Sequence, residues 1–465
     1  MRIHFEGADQ TVTGSQHLLE INGKLLLLEC GIYQGRRADF YEVNRHFPFE
    51  PHRLEAVILS HAHIDHSGNL PNLARQGYDG PIYATPPTAE LANFMLQDSG
   101  KIYEEDASYI NLKKLKRGQK RVEPLYTIED ARKVAKQFQP VPYETEFEPM
   151  AGVTARLVNA GHILGSAAVV LDITENGRKK RLWFSGDIGR FKLPLLPDPV
   201  LPTEVDYLIM ECTYGDTPHG DPEEAYRQLR EVALRTFQRG GKVIVPAFAV
   251  GRTQEIVYML NRMLSDGELP HFPIFVDSPL AINITDVFMK FPDYFDDETK
   301  QFVRTGSHPA LTFPELSYTR STDASKAINN RKGPLMIISA SGMCEAGRIL
   351  HHLKNNVEDP KNTVAIVGWM APNTLGRRIK ERQPEIRIFN EMHPLRAEVA
   401  TISGLSAHAG QKGLLEYALA AKQGGVKKIF LVHGEEDAAG AFTQLLSQKD
   451  FHAVEFPDKG SVAEI

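Results

Sequence analysis

Residues Ser60–Leu70 read SHAHIDHSGNL, directly after the apolar run AVIL at 56–59. Three histidines and one aspartate fall within six positions, His61, His63, Asp65 and His66. An apolar strand that ends in HxHxDH places these side chains on a tight loop at its C-terminal edge. His61 and His63 lie two apart and can face one metal ion; Asp65 and His66 can face a second. Imidazole and carboxylate without thiolate suit a hydrolytic zinc site better than a structural one. Four ligands cannot close two metal shells, so the rest of the chain has to supply more.

It offers them at further strand ends. His162 lies in NAGHILGS, Asp187 in FSGDIGR and His433 in FLVHGE. Together with the first four they make a set of seven, in which Asp187 is the bridging anion; its flanking glycines leave room around the carboxylate.

Composition sets the frame. The chain has 465 residues, which suggests two or three domains. A hydrophobic share of 42% with 24% charged residues is ordinary for a protein with buried cores. The net charge of -6 argues against coating nucleic acid by bulk charge, though a local basic groove stays open. Cys30, Cys212 and Cys344 are far apart and form no CxxC, which fits a reducing cytosol and no cysteine zinc site. MRIHFEGADQ lacks a signal pattern, and no apolar run approaches the roughly 20 residues of a membrane span. A cytoplasmic protein is expected.

The first 200 residues read as short strands and turns. LEINGKLLLLECG is a hairpin about Asn22-Gly23. AVILS (56–60), TARLVNAG (154–161), AAVVLDI (167–173) and RLWFSGDI (181–188) are further strands, and 87–111 is helical. KKLKRGQKR (113–121) is a basic run, read as a solvated loop or a phosphate-contacting patch. After about residue 205, DYLIMEC, KVIVPAF, PIFVDSP and PLMIISASG read as buried parallel strands alternating with helices, an α/β layer. A helical EYALAAKQGG and the strand KKIFLVHG follow near the C-terminus.

The order HAHIDHSG, AGHILGS, FSGDIGR resembles the metallo-β-lactamase fold. ECTYG (211–215), SGLSAHAG (403–410) and LVHGE (431–435) resemble the later motifs of its β-CASP subfamily. PAFAVGRTQE (246–255), DSPLA (277–281), ISASGMCEAGR (338–348) and NTLGRRI (373–379) resemble that subfamily's inserted domain. The nearest pattern is that of the bacterial and archaeal relatives of the endonuclease subunit of the pre-mRNA cleavage and polyadenylation factor. The resemblance implies an αββα sandwich, formed by 1–205 and 396–465, with an α/β β-CASP domain inserted at 206–395.

It also implies a ribonuclease with two Zn²⁺ per chain. His61, His63 and His162 would hold one ion, Asp65, His66 and His433 the other, and Asp187 would bridge them. Attack on phosphorus would come from a hydroxide shared by the ions. His408 would donate a proton to the leaving oxygen, held by Glu211. The products would carry a 5′-phosphate and a 3′-hydroxyl. Arg252, Ser339, Ser341, Gly342, Arg348, Arg377 and Arg378 are candidate contacts to RNA phosphates.

Two positions depart from the family pattern. Glu29 replaces an aspartate that supports the ligands, and Gly410 replaces an aspartate near the proposed acid. Neither removes a metal ligand, so an active enzyme is expected. A small-molecule hydrolase such as a thioesterase or lactamase needs no insert of about 190 residues. A non-catalytic RNA-binding scaffold would lack ligands, and all seven are present. DNA is the nearest rival substrate; His433 favours the RNA branch by resemblance. Exonucleolytic relatives carry a long extra C-terminal domain, and this sequence ends at Ile465 soon after its last ligand. An endonuclease on single-stranded RNA is therefore expected, with a 5′-exonuclease as the alternative. A homodimer is left open.

Overall fold

The computed structural model describes residues 1–35, 37–115, 121–306 and 308–465; the side chains of the basic run at 113–120 lie outside that description. The chain divides into two compact units. One comprises Met1–Phe191, Asp198–Pro218 and His408–Ile465, the other Lys192–Pro197 and His219–Ala407.

The first unit is a sandwich of two seven-stranded sheets. In one sheet, Gln16–Ile21 pairs antiparallel with Lys24–Leu28, and Lys24–Leu28 pairs in parallel with Leu54–Ile58. Asn22 (φ 51°) and Gly23 (φ 75°) make the hairpin turn, both in the left-handed region that a two-residue primed turn requires. In the other sheet, Val153–Asn159, Ala167–Glu175 and Arg178–Phe184 run antiparallel in succession. Tyr207–Glu211 and Lys428–Val432 then add in parallel.

Side chains alternate along these strands. Leu157, Val169, Leu171, Leu182 and Phe184 face inward onto Leu26, Leu28 and Ile58 of the opposite sheet. Val158, Val170, Trp183, Leu208 and Met210 face outward and bury Tyr417 and Phe442 of the helices Gln411–Gln423 and Glu436–Ser447. The helix Pro86–Leu115, longer than the 87–111 read from sequence, runs beside the first sheet at Phe138–Pro140. The result is the αββα arrangement expected.

The strand Tyr207–Glu211 lies between Arg178–Phe184 and Lys428–Val432 in the first unit. The sequence reading began the inserted domain at residue 206. A continuous apolar run announces a strand buried on both faces but not the sheet that receives it.

The second unit is a six-stranded, wholly parallel sheet. Its order is Leu316–Tyr318, Ile274–Val276, Leu335–Ser339, Lys242–Pro246, Thr363–Ile366 and Glu398–Thr401. Parallel strands need crossover helices. One of them, Arg252–Ser265, is buried along most of its length. Among the described residues no helix is long and apolar enough to cross a membrane.

Candidate metal centre

In the second sheet of the sandwich, Val153–Asn159, Arg178–Phe184, Tyr207–Glu211 and Lys428–Val432 run in one direction, so their C-terminal ends share an edge. His162, Asp187, Glu211 and His433 all occupy that edge. Across the sandwich, Glu29 follows Lys24–Leu28, and His61–His66 follows Leu54–Ile58. Two glycines let the loops approach. A Cβ on Gly189 would lie 2.0 Å from the Gly161 carbonyl, and one on Gly31 would lie 1.7 Å from the Asp65 carbonyl oxygen.

One ligand group is formed by His61, His63, His162 and Asp187. His63 Nδ1 is 3.1 Å from both His61 Nε2 and His162 Nε2. Asp187 Oδ2 lies 3.3 Å from His61 Nε2 and 3.5 Å from His162 Nε2. Four donors held about 2.0–2.1 Å from one tetrahedral ion stand about 3.3 Å from each other, so these separations fit zinc. Burial pushes the imidazole pKa of His61 to about 3 and of His63 to about 4, leaving both rings neutral at pH 7, as ligands must be.

The second group is Asp65, His66 and His433. His66 Nε2 lies 3.2 Å from His433 Nε2, and Asp65 Oδ2 lies 3.5 Å from His433 Nε2. Asp187 Oδ1 stands 3.2 Å from His66 Nε2. The two oxygens of Asp187 thus address different groups. Both are buried and accept no hydrogen bond. A carboxylate in that state costs several kcal/mol unless a cation neutralises it. The donor set therefore fits two divalent ions.

Behind the ligands, Glu29 is fully buried. Its carboxylate accepts from the Ser60 amide at 2.6 Å, the Ser60 hydroxyl at 2.9 Å and His66 Nδ1 at 2.5 Å. Since Ser60 Oγ donates to Glu29, it accepts from His61 Nδ1, 2.9 Å away. Thr213 Oγ1 likewise donates to the His433 carbonyl at 3.0 Å and accepts from His433 Nδ1 at 3.0 Å. Each of these contacts fixes a proton on the rear nitrogen and turns Nε2 to the centre. Glutamate at position 29 thus makes the supporting contacts. Ser60 and Thr213 were not singled out from sequence; the available signal was a hydroxyl beside a ligand in SHAH and inside ECTYG.

His408 stands at the rim. Its Nδ1 is 3.1 Å from Glu211 Oε1, and its Nε2 is 3.9 Å from Asp187 Oδ2. Ala409 N–H donates to the Ile188 carbonyl at 2.8 Å, which docks this segment beside the Asp187 loop. Glu211 is itself fixed by the amides of Ile188 (2.7 Å) and Thr213 (3.3 Å). Burial lowers the His408 pKa; Glu211 and then Asp187 reverse that and raise it to about 9. Gly410 caps the helix Gln411–Gln423 without a side-chain contact, and the Glu211 contact stands without the missing carboxylate.

The candidate phosphate contacts lie in the second unit. Ser339 Oγ donates to the Asp277 carbonyl at 2.7 Å, and Ser341 Oγ accepts from the amides of Glu345 and Ala346 at 3.2 and 3.3 Å. A Cβ on Gly342 would meet the Phe248 ring at 3.0 Å. Arg348 bonds Asp277 Oδ1 at 2.6 Å and the carbonyls of Thr319 and Arg320 at 2.9 and 2.7 Å. Arg252 is buried against Glu255. Both guanidinium groups are thus committed to internal carboxylates. Arg377 pairs with Glu381 at 2.5 Å, and Arg378 reaches the Asn373 carbonyl at 3.4 Å.

Three family models match along the chain. They describe a metallo-β-lactamase superfamily domain (residues 18–178), a β-CASP domain (253–379) and a Zn-dependent metallo-hydrolase RNA specificity domain (392–454). Ribonuclease TTHA0252 of Thermus thermophilus is 38% identical, over 96% of both chains. Transcription termination factor FttA of Methanocaldococcus jannaschii is 32% identical over 94% of this chain and 67% of its own length. An RNase J-like protein of the same organism is 32% identical over 96% of this chain and 95% of its own. A crystal structure of an Enterococcus faecalis protein of unknown function superposes with a TM-score of 0.57 at 11% identity, over 99% of both chains, which speaks to the fold alone. With a relationship to a ribonuclease over 96% of both chains and a histidine–aspartate cluster at the expected strand ends, the chain belongs to the β-CASP ribonuclease family of the metallo-β-lactamase superfamily, whose members are metal-dependent hydrolases.

Proposed function

We propose that this protein cuts single-stranded RNA endonucleolytically at a two-zinc centre, leaving a 5′-phosphate and a 3′-hydroxyl. The observation that carries the reading is Asp187, whose Oδ2 faces His61 and His162 while Oδ1 faces His66. The relatives named for ribonuclease activity and transcription termination support RNA as the substrate. His61, His63 and His162 would hold one ion and Asp65, His66 and His433 the other. When bound, the pair supplies Lewis acidity and water acidic enough to deprotonate at neutral pH.

The chain's own residues do the rest. Glu29, Ser60 and Thr213 keep the ligand lone pairs turned inward. Asp187 holds the two groups in register. His408, on the open side, presents Nε2 for proton delivery to the leaving 3′ oxygen, and Glu211 fixes its ring from behind. Three buried free cysteines support a reducing, cytoplasmic setting.

The test uses 5′-labelled and 3′-labelled single-stranded RNA in parallel, with zinc counted by plasma mass spectrometry. Internal fragments from both labels and two zinc per chain are expected. Asp187→Ala should lose both zinc and cleavage. Mononucleotides released only from the 5′ end would turn the reading to a 5′-exonuclease; cleavage persisting in Asp187→Ala would remove the bridge.

A further inference from the structure

The second unit leaves two aromatic rings in solvent at one edge of its sheet. Phe248 is 45% exposed and Trp369 48%. Phe248 lies two residues beyond Lys242–Pro246, and Trp369 three beyond Thr363–Ile366. These strands are parallel neighbours, so both rings leave the same edge. On the other side of Lys242–Pro246 runs Leu335–Ser339, which feeds the loop 340–347.

That loop touches both ring-bearing segments. Its Gly342 packs under Phe248, where a Cβ would come within 3.0 Å of the ring. Met343 and Glu345 take the amides of Gly376 (3.1 Å) and Leu375 (2.6 Å), tying the loop to the segment that follows Trp369. Both rings have firm bases. Thr253 Oγ1 donates to the Phe248 carbonyl at 2.7 Å, and Met370, next to Trp369, is buried. Large aromatic groups normally stabilise a fold by burial. Here the backbone is fixed and the rings are held out.

We propose that Phe248 and Trp369 form a stacking platform for the unpaired bases of an RNA strand; the inference rests on the RNA-cleaving reading above. A base in a single strand offers a free π-face, which a duplex hides, and stacking is tolerant of sequence. The charge balance points the same way. The chain is net -6, and Arg252 and Arg348 are neutralised by Glu255 and Asp277. Affinity carried by ring faces then replaces affinity carried by phosphate neutralisation, and the salt dependence of binding should be shallow.

The chain supplies its own reporter. It has two tryptophans, and Trp183 is buried with its Nε1–H on Tyr417. Emission changes on RNA binding therefore report Trp369. The zinc-loaded protein is titrated with a 12-nucleotide oligouridylate carrying cleavage-resistant phosphorothioate linkages, its abasic counterpart, and a duplex of equal length. Quenching is expected with the first alone. Phe248→Ala and Trp369→Ala should each weaken binding about 5- to 10-fold. Phe248→Tyr and Trp369→Phe should stay within about 2-fold of the parent, since both keep a ring. With cleavable RNA, KM should rise by the same factor at unchanged kcat, the mark of uniform binding. Parental affinity in both alanine variants, with Trp369 emission unmoved while the parent still cleaves RNA, would overturn the platform and leave the RNA reading standing. A parent protein that neither binds nor cleaves RNA would sink both.

Discussion

Glu29 offers the sharpest test of how the centre is built, because the nearly isosteric change should be worse than the shortened one. In Glu29→Gln one carboxylate oxygen becomes an NH2 group. The Ser60 amide, 2.6 Å from Oε1, still needs an acceptor, so the new NH2 takes the Oε2 position facing Ser60 Oγ and His66 Nδ1. Donor then opposes donor at His66. The conflict is relieved if His66 moves its proton to Nε2, the nitrogen that faces Asp187 and His433. The swap also spreads. Ser60 Oγ, offered a donor, turns its own proton to His61 Nδ1, 2.9 Å away, and His61 Nε2 becomes protonated in turn. One histidine in each ligand group is thereby blocked. Loss of such a supporting partner lowers metal affinity about 10- to 100-fold, or about 1.4–2.7 kcal/mol. Glu29→Asp keeps both acceptor oxygens. Its backbone, at φ 65°, suits aspartate better than glutamate, and its affinity loss should stay under about 10-fold. Zinc affinity is read by competition with a chromogenic chelator, with activity recorded separately. Parental zinc affinity in Glu29→Gln alongside weakened binding in Glu29→Asp would refute the tautomer argument, because side-chain length alone would then govern the site.

Three further outcomes follow from the same structure. Glu211 is the foremost group holding the His408 pKa up against burial, to about 9. A proton donor works below its pKa, so removing that anion lowers the pKa, and Glu211→Gln should move the alkaline limb of the kcat profile to lower pH; an unmoved limb would take His408 out of the donor role. Tyr417→Phe leaves the buried Trp183 Nε1–H, now 2.6 Å from the Tyr417 hydroxyl, without an acceptor. That should cost about 1–3 kcal/mol, read as a lowered melting temperature with zinc content unchanged. Asp277→Ala strips the carboxylate that Ser325, Arg348 and His352 share at 2.5, 2.6 and 2.6 Å. Taking the shared acceptor from buried Ser325 Oγ and His352 Nε2, and the counter-charge from Arg348, should destabilise the second unit by about 3–5 kcal/mol, seen by calorimetry as a transition at lower temperature.

What the sequence reveals of this centre, and what it hides, divides along a physical line. The candidate ligands are legible because metal binding demands particular side-chain types, and because parallel strands bring their C-terminal ends to one edge whatever their separation in the chain. Asp187 and His433 meet in that way across a gap no spacing rule would bridge. The supporting hydroxyls of Ser60 and Thr213 are not legible, since their role depends on where a single proton points, and only the packed neighbours decide that. Nor does the run DYLIMEC say which sheet will take it. Backbone conformation is hidden for a further reason. Glu29 (φ 65°) and His433 (φ 50°) both sit in the left-handed region directly after a strand. Each such residue costs roughly 1–2 kcal/mol. The cost is offset locally: the Glu29 amide donates to the Ile58 carbonyl at 3.0 Å, and the His433 amide to the Ala8 carbonyl at 2.7 Å. Bending the chain at these two points ends each strand abruptly and turns the side chain of Glu29 or His433 itself toward the centre instead of onward along the sheet. A glycine there would adopt the bend at lower cost but could neither ligate nor orient a ligand. The strain is thus the consequence of requiring a functional side chain at the position where the strand must stop.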